Sequence, residues 1–235
     1  MTKIIRKWLA VFTLFTVELL FIWIVFITCI LLFFFLAREI IEDQELNLDT
    51  KAFAWADTLA TPGVNRFMTS ITFFASRNFI TVMSLVLIFY FLFIRKHRWY
   101  SIKVPVIALG SISLNLILKY IFNRDRPLIP HLVKSYGLSF PSGHAMISAS
   151  FYGLLIYLVW RHVAHPVWRW VLVVFLTIFI ILIGFSRVYL HVHYASDVLA
   201  GFAAGFLWVI IAIYLLKKLE KYSRRHLNSV VEAEV

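Results

Sequence analysis

The chain has a single cysteine, Cys29, set inside an apolar run, so no intramolecular disulfide supports its fold. It has no internal repeat, low-complexity tract or linker, which leaves one domain over residues 1–235. Charge is sparse, at 15% of residues, whereas 62% are hydrophobic and the mean hydropathy is +0.86. That balance excludes an ordinary soluble domain. Acids are the scarcer sign: 12 Asp and Glu stand against 23 Lys and Arg, for a formal charge of +11. Such a charge points first to nucleic acid, but the basic residues sit in short clusters between apolar runs. Clusters of that kind set membrane topology, so the expected partner is a bilayer and not a nucleic acid.

What is abundant is apolar and aromatic. Twenty-three Phe and eight Trp suit lipid contact and interfacial belts. Residues 8–37 form the first apolar run, too long for a signal-peptide core and longer than a ~30 Å hydrocarbon layer requires. It is expected to tilt or protrude. Glu18 within it reads best as a bundle-facing hydrogen-bonding group. Residues 38–66 are the longest polar stretch; apolar Ile40, Ile41, Leu46, Leu48, Phe53 and Trp55 are interleaved with its acids. This predicts a helical piece lying along the outer interface, over about residues 38–70. Further spans are expected at about 73–94, 104–122, 144–160, 171–185 and 198–216, with a basic tail after the last. Gly110, Ser111 and Ser113 allow close helix packing in the third. The fold class is therefore all-α, an integral membrane bundle of six transmembrane helices.

Six spans put both termini on one side. The basic N-terminus, the Arg95–Lys103 cluster, the Arg161–Arg169 loop and the tail make that side the cytoplasm. The loops between spans three and four and between spans five and six then face outward. Arg124, Arg126, Lys134 and Arg187 lie on that face against the charge rule, and catalytic duty would explain at least two of them.

Three runs on those loops carry the chemistry. His193 and Asp197 are four apart, so on a helix they share a face, where a carboxylate can hold the imidazole Nδ1–H and leave Nε2 free. Alone, this reads as a chance polar pair. Upstream, Pro141-Ser142-Gly143-His144 reads as a turn with Ser142 capping a helix whose first amides bind anions. Lys119 and Arg126-Pro127 precede it. Lys119 alone reads as a snorkelling residue at a span's end. Together with Arg187, these groups form a phosphate-handling constellation. His191, six residues from Asp197, falls off the shared face and reads as a loop histidine. Asp125 is the only other carboxylate expected near the motifs, which is too few for a two-metal centre. No metal and no other cofactor is expected.

The three runs, K-x6-R-P, P-S-G-H and S-R-x5-H-x3-D, resemble the signature of the type 2 phosphatidic acid phosphatase superfamily at every defined position. Size and membrane character are similar to its bacterial phosphatidylglycerophosphatase B-like members. The resemblance implies a metal-independent lipid phosphatase working through a phosphohistidine. It implies His193 as nucleophile, Asp197 as its orienting carboxylate and His144 as acid and then base. Lys119, Arg126, Ser142, Gly143 and Arg187 would hold the phosphate. The expected substrate is phosphatidylglycerophosphate, with undecaprenyl pyrophosphate as the alternative, because the motifs read only the phosphate. No protein partner is inferred. A transporter would predict inverted repeats or broken helices near the midplane, whereas the polar groups here gather at one rim.

Overall fold

The computed structural model describes the backbone of residues 3–43 and 46–233, and the side chains of residues 17, 19–43 and 46–225. Among the described residues there are eight α-helices and no strand. They are α1 Lys3–Glu42, α2 Asn47–Thr58, α3 Pro62–Phe73, α4 Arg77–Phe89, α5 Arg98–Phe122, α6 Gly143–His162, α7 Pro166–Tyr189 and α8 Ala195–Ala233. A π-helical turn, Tyr90–Ile94, prolongs α4. Among the described residues, six segments are long and apolar enough to cross a membrane: Leu19–Glu42, Arg77–Ile94, Arg98–Phe122, Gly143–His162, Pro166–Tyr189 and Ala195–Arg225. The six-span all-helical bundle expected from the sequence is the observed architecture.

Local signals set the breaks. Thr61 Oγ1 accepts from the Val64 amide and Pro62 starts α3, where its missing N–H costs nothing. Ser76 Oγ caps α4 through the Phe79 amide. Asn123 ends α5 at φ +43°, a left-handed conformation that Asn tolerates.

Several boundaries differ from the sequence reading. Residues 38–42 belong to α1, because Ile40 is buried with Leu36, Phe140 and Ala200. The rest of the polar stretch is two helices, α2 and α3. The third span begins at Arg98, not near residue 104. Lys103 can be helical and buried there because Glu220 pairs with it at 3.2 Å and the Tyr100 ring lies 4.4 Å from its ammonium. The basic tail is not a separate segment: α8 runs through it, which is what brings Glu220 to Lys103. Lys3, Arg6, Lys7, Glu18, Glu45 and His226 lie outside the described side chains.

Helix α6 sits centrally, packed on α5, α7 and α8, while α1 lies on α8. The α6–α8 seam is close because α8 presents Gly201 and Gly205, one turn apart. A Cβ at Gly201 would meet Ser142 O at 2.7 Å, and one at Gly205 would meet Met146 O at 2.5 Å. Small residues at that spacing let backbones approach. Gly110 of α5 serves differently, receiving the indole of Trp208. Chain parity then brings the C-terminal ends of α1, α5 and α7, the N-terminal ends of α4, α6 and α8, and α2 and α3 to one end of the bundle. The motifs gather there.

Candidate functional site

One cavity of about 620 Å³ opens at that end. Lys119 and Asn115 reach it from the last turns of α5. Arg126 and residues 134–138 come from the α5–α6 loop. Gly143 and His144 open α6, Arg187 ends α7, and His193 lies in the α7–α8 turn. Six of the eight residues singled out in the sequence thus line a single space. Asp197 and Ser142 stand behind it, both fully buried.

His193 is 2% exposed. Its Nε2 lies 3.4 Å from Arg126 Nη1, while its Nδ1 faces Asp197 Oδ2 at 3.4 Å. Burial holds this imidazole well below its ordinary pKa, and the charges of Arg126, Arg187 and Lys119 push the same way. It is a neutral ring, with the proton on the Nδ1 side where acceptors stand and a lone pair on Nε2. His193 precedes α8 and does not share a helix with Asp197. The juxtaposition comes from Asp197 lying in the first turn, where its Oδ2 accepts the Tyr194 amide at 3.0 Å.

The three motif cations are held by backbone carbonyls and a hydroxyl, not by acids. Lys119 donates to Leu138 O, and Arg126 Nε and Nη2 donate to Gly137 O and Tyr136 O at 2.8 and 3.0 Å. Arg187 Nη1 donates to Thr72 Oγ1 on α3 at 2.6 Å. Their charges therefore remain uncompensated toward the cavity, and burial lowers the pKa of Arg126 below the usual guanidinium range. Among the described residues, Arg187 Nε and Ser142 Oγ are buried without a hydrogen-bond partner. Buried orphaned donors beside a cationic cavity fit an anionic ligand with several acceptor oxygens.

Ser142 corrects one expectation. It occupies the N-cap position of α6, but its side chain makes no capping bond. The turn is secured instead by the Ser142 amide donating to Asp197 O at 3.0 Å and by Asn115 Nδ2 donating to Pro141 O at 3.1 Å. A second correction concerns the carboxylates. Asp49 of α2, read as part of an interfacial stretch, is fully buried and joined through Arg124 to Asp197. Asp125 is thus not the only other acid near the motifs. Arg124, singled out in the sequence only for its charge, pairs with both buried carboxylates. Ser139, also unforeseen, has its hydroxyl 3.3 Å from His193 Nδ1 and bonded to Asp197 Oδ2. His191 points elsewhere, to Asp57 at 2.9 Å and Pro130 O at 3.2 Å. Among the described residues, no three His, Cys, Asp or Glu side chains group as a metal site.

The chain is 28% identical to phosphatidylglycerophosphatase B of Bacillus subtilis over 200 residues, 85% of this chain and 98% of that protein. It is 32% identical over 132 residues to the undecaprenyl-diphosphatase of Sulfolobus acidocaldarius, covering 54% of this chain and 57% of the relative. The crystal structure of a transmembrane PAP2-type phosphatidylglycerolphosphate phosphatase from Bacillus subtilis superposes with a TM-score of 0.73. That match has 27% identity and covers 82% of this chain and 96% of the other. The family model of the PAP2 superfamily matches residues 100–221, which include every residue of the cavity and its motifs. The chain belongs to the PAP2 superfamily and is a membrane lipid phosphatase.

Proposed function

We propose that the protein hydrolyses phosphatidylglycerophosphate to phosphatidylglycerol and phosphate through a phosphohistidine on His193, without a metal. The observation that carries this reading is the convergence of neutral His193, His144 and the cations Lys119, Arg126 and Arg187 on one cavity. The three cations, the orphaned Arg187 Nε and Ser142 Oγ, and the amides at the start of α6 from Gly143 neutralise the phosphoryl oxygens. His193 Nε2 forms a bond to phosphorus as the P–O bond to the glycerol breaks, and His144 gives its proton to the departing oxygen. Water, deprotonated by His144, then attacks phosphorus and breaks the P–N bond. Asp197 holds the Nδ1 side and offsets positive charge on the ring.

The name of the Bacillus subtilis relative supports this substrate. The name of the Sulfolobus acidocaldarius relative favours undecaprenyl diphosphate as the second reading. The charge pattern supports an outward active end with cytoplasmic termini, because Arg95, Lys96, Arg98, Arg161, Arg169 and Lys217–Arg225 lie at the opposite end. Metal independence is supported by the lack of a carboxylate cluster among the described residues.

Purified protein assayed in EDTA against phosphatidylglycerophosphate, phosphatidic acid and undecaprenyl diphosphate tests the reading. Highest kcat/KM on the first, with inhibition by vanadate, is the expected result. Preference for the diphosphate selects the second reading, and loss in EDTA restored by Mg²⁺ sinks the metal-free mechanism.

A further inference from the structure

Asp49 lies on α2, outside every motif and outside residues 100–221, yet it is buried against the site. Its Oδ1 accepts the Ser196 amide at 2.8 Å. Its Oδ2 accepts the Ser196 hydroxyl at 2.8 Å and Arg124 Nη2 at 3.1 Å. Arg124 Nη1 donates to Asp197 Oδ1 at 2.7 Å, and the guanidinium covers the Tyr194 ring, 3.9 Å from its centroid. One arginine is shared by two carboxylates, and all three residues are 0% exposed.

The formal charges matter because water is excluded and screening is weak. An Arg124–Asp197 pair alone would be neutral and would leave Asp197 little charge to offer His193. With Asp49 the trio sums to one negative charge. His193, on the reading of it as nucleophile, gains positive charge as the phosphorus–nitrogen bond forms. Lys119, Arg126 and Arg187 face the same space and oppose that charge.

We propose that Asp49 is a charge-balancing positioning residue. By taking a share of Arg124, it keeps Asp197 electrostatically available to the phosphorylated imidazole, and so makes α2 part of the working site. A purely structural Asp49 would hold the α8 N-terminus through Ser196 and the start of α2 through the Leu46 amide at 3.3 Å; Asn keeps one of the two acceptor oxygens, so the double variant is what separates lost charge from lost contacts.

The test uses full-length protein in detergent, rapid quenching with radiolabelled phosphatidylglycerophosphate, steady-state kinetics and thermal melting. Asp49→Asn makes the trio neutral and is expected to slow phosphoenzyme formation on the order of 10–100-fold, with KM within about twofold of wild type. Adding Arg124→Gln returns the trio to one negative charge and is expected to recover about tenfold or more of that loss. A double variant no faster than Asp49→Asn overturns the proposal, as does an Asp49→Asn variant that phosphorylates at the wild-type rate. Should Asp49→Asn not fold, the double variant decides alone. Folding with phosphorylation within about tenfold of wild type supports the proposal, and slower reaction or misfolding overturns it. If wild-type protein itself traps no phosphohistidine, the nucleophile reading fails first, and the proposal with it.

Discussion

The Ser139 hydroxyl stands 3.3 Å from His193 Nδ1, as near as the Asp197 carboxylate at 3.4 Å. Ser139 in turn donates to Asp197 Oδ2, which also takes the Tyr194 amide. The imidazole is therefore oriented by a carboxylate and a hydroxyl together. Ser139→Ala is expected to lower kcat roughly 10–100-fold with little change in KM, the scale of one hydrogen bond to a charged group. Asp197→Asn removes the charge and allows the wrong tautomer, a change that costs on the order of 10⁴ in an analogous Asp–His pair. Steady-state kinetics of the two variants would rank them. Equal losses would mean that Ser139 carries the orienting role alone.

A pH dependence of stability follows from the buried imidazole. His193 has a folded pKa well below the usual value, so the unfolded chain binds a proton at about pH 6.5 that the folded chain refuses. Fewer protons bound in the folded state means that stability falls as pH drops below that value. The contribution is at most about 1.4 kcal/mol per pH unit for one group. Melting temperature in detergent should therefore fall between pH 7 and pH 5, and His193→Gln should flatten the slope. Parallel slopes for the two proteins would contradict this.

The seam between α6 and α8 makes a graded prediction. A Cβ at Gly205 meets Met146 O at 2.5 Å and Ala149 Cβ at 2.8 Å, and one at Gly201 meets Ser142 O at 2.7 Å. Two of those three atoms are backbone and cannot give way. Gly201→Ala or Gly205→Ala should cost on the order of 1–3 kcal/mol of stability. Gly201→Ala should also reduce kcat, because Ser142 N is bonded to Asp197 O in the same turn. Gly143→Ala meets only the Asn115 side chain, at 3.1 Å, and should be milder. Melting curves and activity of the three variants check the order.

The motif residues were legible because each run is short and its chemistry is local. Six spans and chain parity then brought them to one end with no knowledge of tertiary contacts. The supporting network was not legible, for a physical reason. Asp49 meets Ser196 across 147 positions and Arg124 across 75, so neither periodicity nor spacing registers the pairing. Asp49 alone reads as one acid in an amphipathic stretch, and Ser139 as a loop residue. Only Arg124 left a trace, as a base on the face that the charge pattern led us to expect outside, where the charge rule disfavours it. The failed cap at Ser142 has the opposite cause: a motif residue took a standard position, but its hydroxyl bonds none of the helix amides.

The proposed mechanism divides its labour most sharply between His144 and His193, with His193 attacking and His144 serving as acid and then base. His193→Ala removes the attacking nitrogen, so no phosphoenzyme forms and turnover should vanish. His144→Ala removes the acid for the first step and the base for the second. With a nitrophenyl phosphate the departing oxygen needs little protonation, so the first step should partly recover while hydrolysis stays slow. An acid-labile, alkali-stable phosphohistidine should then accumulate in His144→Ala, visible after rapid quenching with labelled substrate. The neutral state of His193 favours this order, because an unprotonated Nε2 can attack at once. Label trapped in His193→Ala but not in His144→Ala would reverse the two roles.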